Sequence, residues 1–185
     1  STDEGSTEHY GQTIQYSQPE IYTKTGYRMD DTHHLILQAS LQQHDQNSYF
    51  GTTNLDAKQL NAYAKAQYEL SWKEDHVLKT GISVRHEQLD QEISFGPDTL
   101  NRTYDGVYDR TETVPGFFVE NIFHWNDRRS TLITGLRIDH HDKFGWQVTP
   151  RALFKHNFTD RTTARASVGT GWRTVQLFSE NVNLL

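Results

Sequence analysis

Four runs decide the fold: VPGFFVENIFHW (114–125), STLITGLRIDHH (130–141), QVTPRALFKHNF (147–158) and TTARASVGTGWRTVQLFSEN (162–181). A short polar DRR turn separates the first two, and TDR separates the last two. In the final run Thr162, Ala164, Ala166, Val168, Thr170 and Trp172 share one parity, while Thr163, Arg165, Ser167, Gly169, Gly171 and Arg173 share the other. Successive side chains of a β-strand point to opposite faces. Each run is therefore a ribbon with one apolar or small face and one polar face.

The upstream chain repeats this pattern. Residues 1–19, rich in Ser, Thr, Gln and Glu, read as a flexible lead-in, and residues 20–185 as one β-rich segment. A first strand is expected over 21–29, with a tight connection at Asp30-Asp31-Thr32. A second begins near His34, setting Leu35, Leu37, Ala39 and Leu41 against Ile36, Gln38, Ser40 and Gln42. Polar residues 44–59 read as a long loop. A third strand sets Ala62, Ala64, Ala66, Tyr68, Leu70 and Trp72 against Asn61, Tyr63, Lys65, Gln67, Glu69 and Ser71; helical spacing would give a mixed face instead. A turn at Lys73-Glu74-Asp75 leads to Leu78, Thr80, Ile82 and Val84 against Lys79, Gly81, Ser83 and Arg85. The stretch from Glu87 to about Thr113 reads as the longest loop, with turn signals at Gly96-Pro97-Asp98 and Tyr104-Asp105-Gly106. The expectation is an all-β chain, an antiparallel up-and-down meander of about eight strands in which short turns alternate with longer loops.

Composition narrows the function classes. Only 34% of residues are hydrophobic, yet 12% are aromatic, which suits half-buried strands better than disorder or a helical core. Net charge is −6 and no basic run occurs, which argues against nucleic acid as a partner. Cysteine is absent, so there is no disulfide, thiol nucleophile or cysteine metal site. No apolar run reaches the roughly 20 residues of a spanning helix. Strands of about 10 residues, however, suffice for a tilted transmembrane barrel strand. The apolar parity ends in Trp72, Trp125 and Phe158, each beside a short turn, as an interfacial girdle would. The other parity carries Lys65, Glu69, Lys79, Arg85, Arg137, Asp139, Arg151, Lys155, Arg165 and Arg173, candidates to face a watery lumen. A soluble sheet with one wet face explains the same alternation.

Specific residues add a resemblance. Leu132-Ile133-Thr134-Gly135-Leu136-Arg137-Ile138-Asp139 resembles the L-x-x-G-x-R-x-D strand of TonB-dependent outer-membrane receptors. Thr149-Pro150-Arg151 with Ala152-Leu153-Phe154-Lys155 resembles the strand that follows it. Residues 165–174, ending in Gly169-Thr170-Gly171-Trp172-Arg173-Thr174 and followed by Glu180-Asn181, resemble the S-x-G-x-G-[FW]-R-x-P…E segment, with Val175 in the proline position. The resemblance implies a piece of a larger transmembrane barrel of about 22 strands. It also implies a plug domain and a TonB-contact segment, neither of which is recognisable here. Outer-membrane lipid would be a partner, TonB only through the absent N-terminal part, and the imported ligand would be an iron chelate, cobalamin or a saccharide. Ligand contacts would fall in 43–59 and 87–113. A sheet excised in this way has two open edges and is expected to self-associate through them.

Other signals carry less. His33-His34 and Asp139-His140-His141-Asp142 suggest a metal, but neighbours on a strand face opposite ways. Gly169-Thr170-Gly171 lacks the third glycine of a dinucleotide loop and reads as easing a bend. Glu87, Asp90, Glu92 and Asp98 lack calcium-loop spacing, and the Asn101 and Asn157 sequons mean little in a bacterial protein. No cofactor, metal or catalytic residue is implied, and no enzyme signature is present. The rival readings are a soluble β-barrel or sandwich binding a small ligand and, further off, a β-rich carbohydrate-active enzyme.

Overall fold

The computed structural model describes residues 9–73, 75–95 and 106–174. They form one antiparallel sheet of nine strands: β1 (Gln12–Ser17), β2 (Glu20–Arg28), β3 (His33–Phe50), β4 (Thr53–Trp72), β5 (His76–Phe95), β6 (Gly106–Trp125), β7 (Ser130–His141), β8 (Gly145–Thr159) and β9 (Thr162–Gly169). From β3 onward each strand pairs with the next, an up-and-down meander. β1 and β2 both pair with β3 in one continuous register, Gln12 to Phe50 through Arg28 to His34. They amount to one strand interrupted at Pro19, which has no N–H for the ladder, so the sheet has eight strand positions. The meander and its strand number match the sequence reading.

Three expectations about boundaries do not hold. Gln12–Ser17 lies in the sheet rather than in a lead-in. Residues 44–59 are not a loop: β3 and β4 run through them and reverse at Gly51-Thr52, where Gly51 takes φ 62°. The stretch after Glu87 continues as strand to Phe95 and resumes at Gly106; the turn signals at 96–98 and at Tyr104-Asp105 lie outside the described residues. β4, β5 and β6 are thus 20 residues each. At about 3.3 Å per residue and a tilt near 45°, such a strand rises roughly 45 Å, well beyond a hydrocarbon core of about 30 Å.

The reason for the length is a switch of parity. On the lower part of the sheet the apolar side chains occupy one face, here called outer: Leu37, Leu41, Ile82, Phe117, Leu136 and Val148 are all exposed there. Higher up, the buried Leu55, Ala57, Leu89, Ile93 and Val114 belong to the opposite, inner face. Lys58, Asp90 and Asp109 occupy the outer face at that level. One chain therefore presents its apolar side chains outward at one height and buries them in a small inner core at another.

The outer band has ordered borders. At the short-turn rim, rings pair side by side: His33 with Tyr68, His76 edge-on to Phe123 at 4.9 Å, Trp125 stacked on Phe154 at 6.0 Å and His156 edge-on to Phe158 at 4.6 Å. The opposite border carries His140 against Trp146 at 4.7 Å. From Trp146 to Phe158 on β8, 12 residue rises of about 3.3 Å at that tilt span about 28 Å, the height of a bilayer core. Thr80, inside the band, returns its hydroxyl to the Phe118 carbonyl at 3.1 Å and so satisfies its own donor.

The short turns are specified locally. Asp30 accepts hydrogen bonds from the Thr32 amide (2.7 Å), the Thr32 hydroxyl (2.8 Å) and the His33 amide (2.8 Å). The Thr32 amide, then its hydroxyl, hold the Asp30 carboxyl below the ordinary aspartate pKa. Asn126, Asp127 and Arg128 take positive φ in succession to close β6 onto β7, and the first two are the residue types that tolerate it best.

Candidate functional site

Below that core, the inner face is the polar one. A cavity of about 310 Å³ lies across it, lined from β4 to β8 by Tyr63, Lys65, Lys79, Glu120, Arg137 and Arg151 among others. Cross-strand register explains which residues meet. Glu69 stands opposite Lys79, with Nζ and carboxylate 3.6 Å apart. Gly116 lies between Ser83 and Asp139, and Gly135 between Glu120 and Arg151.

Those glycines decide the geometry. Arg137 reaches over Gly116 on the neighbouring strand: Nε donates to Asp139 Oδ2 at 2.9 Å, Nη2 sits 2.7 Å from Oδ1, and Nη2 donates to Ser83 Oγ at 2.9 Å two strands away. Arg151 likewise crosses Gly135 and donates to the Glu120 carboxylate two strands away. A Cβ on Gly116 would fall inside contact distance of Asp139 Oδ1 and 2.7 Å from Arg137 Nη2, and one on Gly135 would lie 2.9 Å from Arg151 Nε. Gly81 serves Phe118 in the same way, since an added Cβ would meet the ring at 2.8 Å. Missing side chains on one strand thus make room for long ones that brace three strands at once.

Above this lattice is a second, more buried one. Arg110 donates to Glu87 and lies 3.4 Å from Glu112; His141 Nε2 is 3.3 Å from the other Glu112 oxygen. Because His141 Nδ1 accepts the Lys143 amide at 3.0 Å, its proton sits on Nε2, which lies beside that carboxylate without a hydrogen bond to it. After Gly169 the chain leaves the sheet and crosses this face. The Thr170 amide donates to the Pro150 carbonyl (3.1 Å), Trp172 Nε1 to Asp139 (3.2 Å) and Thr174 Oγ1 to Glu112 (3.0 Å), while Arg85 covers the Trp172 ring at 5.5 Å.

A wall with this register, an ion-paired inner face and an apolar outer band fits one family. The family model described as TonB dependent receptor-like, beta-barrel matches residues 2–183. This chain belongs to the TonB-dependent receptor β-barrel family. A solved structure, titled as the ferric citrate transporter FecA in the unliganded form, superposes with a TM-score of 0.56 at 10% sequence identity, over 84% of this chain and 27% of that one. That likeness concerns the fold. The chain spans about a quarter of the length of that protein. A search of the curated proteins returns no match.

Within this wall, Lys65 and Glu69 lie on β4, Lys79 and Arg85 on β5, Arg137 and Asp139 on β7, Arg151 on β8 and Arg165 on β9, all on the inner face. Lys65, Lys79, Arg137 and Arg151 converge on the cavity. Arg165 does not: it sits at the sheet's end opposite Lys155. Arg173 lies past β9, and Trp172, assigned by parity to the apolar face, instead turns onto the polar one. The sequence reading missed Glu120, which is hidden among Phe118, Val119 and Ile122. It also missed Glu87, Arg110 and Glu112, which it assigned to a loop. His140 and His141 do face opposite ways, and among the described residues no three His, Asp or Glu side chains gather to hold a metal.

Proposed function

We propose that this chain forms part of the wall of an outer-membrane receptor that imports a ligand such as an iron chelate, cobalamin or a saccharide. The observation that carries the reading is the pairing of faces. A glycine-floored, ion-paired inner surface lies behind an outer band of exposed aliphatics with aromatic borders. An apolar surface of that extent facing water would invite aggregation, whereas facing lipid it is matched to its medium. The iron chelate is the ligand class to test first, because the structurally similar protein is named as a ferric citrate transporter.

Mechanistically, the wall's task is to stay fixed while something moves inside it. Arginines that tie three strands together over glycines resist shear between strands. The segment 170–174, held by Asp139 and Glu112, narrows the passage at the long-hairpin side. TonB would act through a part of the receptor other than this wall. The edges at β1–β2 and β9 would pair with further strands of the same barrel.

The test is genetic and biochemical. The gene encoding the chain is deleted in its Gram-negative host, the native protein is fractionated, and uptake of a labelled iron chelate is measured with and without the proton-motive force. The reading expects outer-membrane fractionation and energy-dependent uptake that disappears with the gene. A protein recovered in the soluble fraction would contradict it.

A further inference from the structure

Resting on the receptor reading, we propose that the inner-face cavity between β4 and β8 is a carboxylate site anchored by Lys65. Four cationic side chains line it: Lys65, Lys79, Arg137 and Arg151. Three have carboxylate partners, Lys79 in Glu69 (3.6 Å), Arg137 in Asp139 (2.7 Å) and Arg151 in Glu120. Lys65 has none within ion-pair distance among the described residues; the Glu120 carboxylate, already held by Arg151, acts on it only from further off. Its Nζ donates to Gln67 Oε1 at 3.1 Å and stands 5.8 Å from the centre of the Phe118 ring. Its cross-strand neighbours are uncharged, Gln38 on one side and Ser83 on the other, and beyond Gln38 the next inner-face residue is Lys24, another cation. The cavity therefore holds one surplus positive charge, and Lys65 carries it.

A half-buried ammonium loses part of its hydration, and an amide oxygen with a ring face replaces that poorly. An anion delivered to the cavity would complete it. The surplus is a single charge, which fits a carboxylate rather than a dianionic phosphate. A second donor stands ready. Tyr63, the next inner-face residue on β4, lines the same cavity and the adjoining one of about 330 Å³, and its hydroxyl has no partner among the described residues. An ammonium and a phenol on one edge of a pocket can each engage one oxygen of a carboxylate. An uncharged saccharide would leave Lys65 as it is.

The carboxylate has two possible sources, a solute or an Asp or Glu elsewhere in the intact protein. Both are separated by treating the intact protein in detergent with a water-soluble carbodiimide, with and without succinate, and mapping Lys65 by peptide mass spectrometry. The reagent adds to a carboxylate, an amine then displaces it to form an amide, and the carbodiimide leaves as its urea carrying the elements of water; coupling is favoured where amine and carboxylate are held in contact. A solute site gives a saturable succinate adduct on Lys65 in excess of that on the turn residue Lys73. It also gives succinate binding in calorimetry that weakens about tenfold or more in Lys65→Gln and survives in Lys65→Arg and Lys73→Gln. An internal source gives a Lys65 cross-linked peptide that forms without succinate. The proposal is overturned if Lys65 reacts no more than Lys73, no cross-link forms, and Lys65→Gln binds succinate as the unmodified protein does. Membrane fractionation of the same preparation reports separately on the receptor reading, since the chemistry at Lys65 is read on purified protein whatever it transports.

Discussion

Gly116→Ala is expected to destabilise the wall by unseating one ion pair, although it adds a single methyl group. The new Cβ would lie 2.7 Å from Arg137 Nη2 and inside contact distance of Asp139 Oδ1. Both obstacles are ends of side chains and can move, so the backbone need not yield. Moving them, however, dismantles the two contacts of Arg137 with Asp139, at 2.9 and 2.7 Å, and its bond to Ser83 at 2.9 Å. Asp139 is 5% exposed and has little water to fall back on. Breaking a buried pair costs about 3–5 kcal/mol. The Arg137 side chain is 35% exposed, which lowers the figure, and about 2–3 kcal/mol is expected. The assay is urea unfolding of the protein in detergent followed by tryptophan fluorescence. Gly26→Ala is the control, because a Cβ there meets nothing within 4 Å; it is expected to be neutral or to stabilise by up to about 0.5 kcal/mol. If the loss acts through the ion pair, Gly116→Ala should cost much less in an Arg137→Ser, Asp139→Ser background. An unfolding midpoint for Gly116→Ala that matches Gly26→Ala would refute the reasoning.

Other outcomes follow from the same geometry. Gly81→Ala should be worse than Gly116→Ala, because its Cβ meets the backbone of β4, with Gln67 Cα at 3.0 Å, and backbone cannot step aside; more than about 3 kcal/mol is expected in the same assay. Trp172→Phe keeps a ring beneath Arg85 but loses the 3.2 Å bond to Asp139, so segment 170–174 should loosen by about 1 kcal/mol and be cut faster by protease, with the rest of the sheet unaffected. The hydrogen bonds to Asp30 stabilise its turn only while the carboxylate is charged. That stability is present above the ordinary aspartate pKa and is lost as pH falls through the lowered value, so the Asp30 carboxyl should titrate by carbon NMR below the same residue in a short peptide. The 185-residue chain by itself should form dimers or larger species in light scattering, since the strands at both ends of the sheet keep unpaired edges among the described residues; a monomer at high concentration would contradict this.

The meander was legible because apolar side chains recur at alternate positions through Leu35–Leu41, Ala62–Trp72, Leu78–Val84 and most of the C-terminal runs as far as Gly169, with turns marked by Asp30-Asp31-Thr32 and Asn126-Asp127. The upper halves of β3 to β6 were not, for a physical reason. Between Leu60 and Leu55, between Val84 and Leu89, and at Val114 beside Pro115, the apolar side chains change face, because above the band the outer positions are polar and the apolar ones pack into an inner core. A pattern that flips parity looks like no pattern, and polar residues such as Asp56, Lys58, Gln88 and Asp90 then read as loop. The same blindness hid Arg110, Glu87 and Glu112. The inner-face charges from Lys65 to Arg151 could be placed by parity alone. The glycines opposite them could not be given a purpose, because which glycine meets which arginine depends on register between strands, which one-dimensional spacing does not carry. Trp172 was misassigned for the plainest reason: parity was continued three residues past Gly169, where the strand ends.

The central claim is that the outer band of this sheet meets lipid and its inner face meets water. The chain contains no cysteine, so single cysteines placed at Ile82, on the outer face, and at Gln38, on the inner face, are unique labels. In the intact protein in bilayers, a fluorophore at position 82 should be quenched by lipid-borne quenchers and shielded from iodide. A water-soluble maleimide should reach position 38. Iodide quenching at position 82 as strong as at an exposed turn residue such as Lys73 would contradict the account.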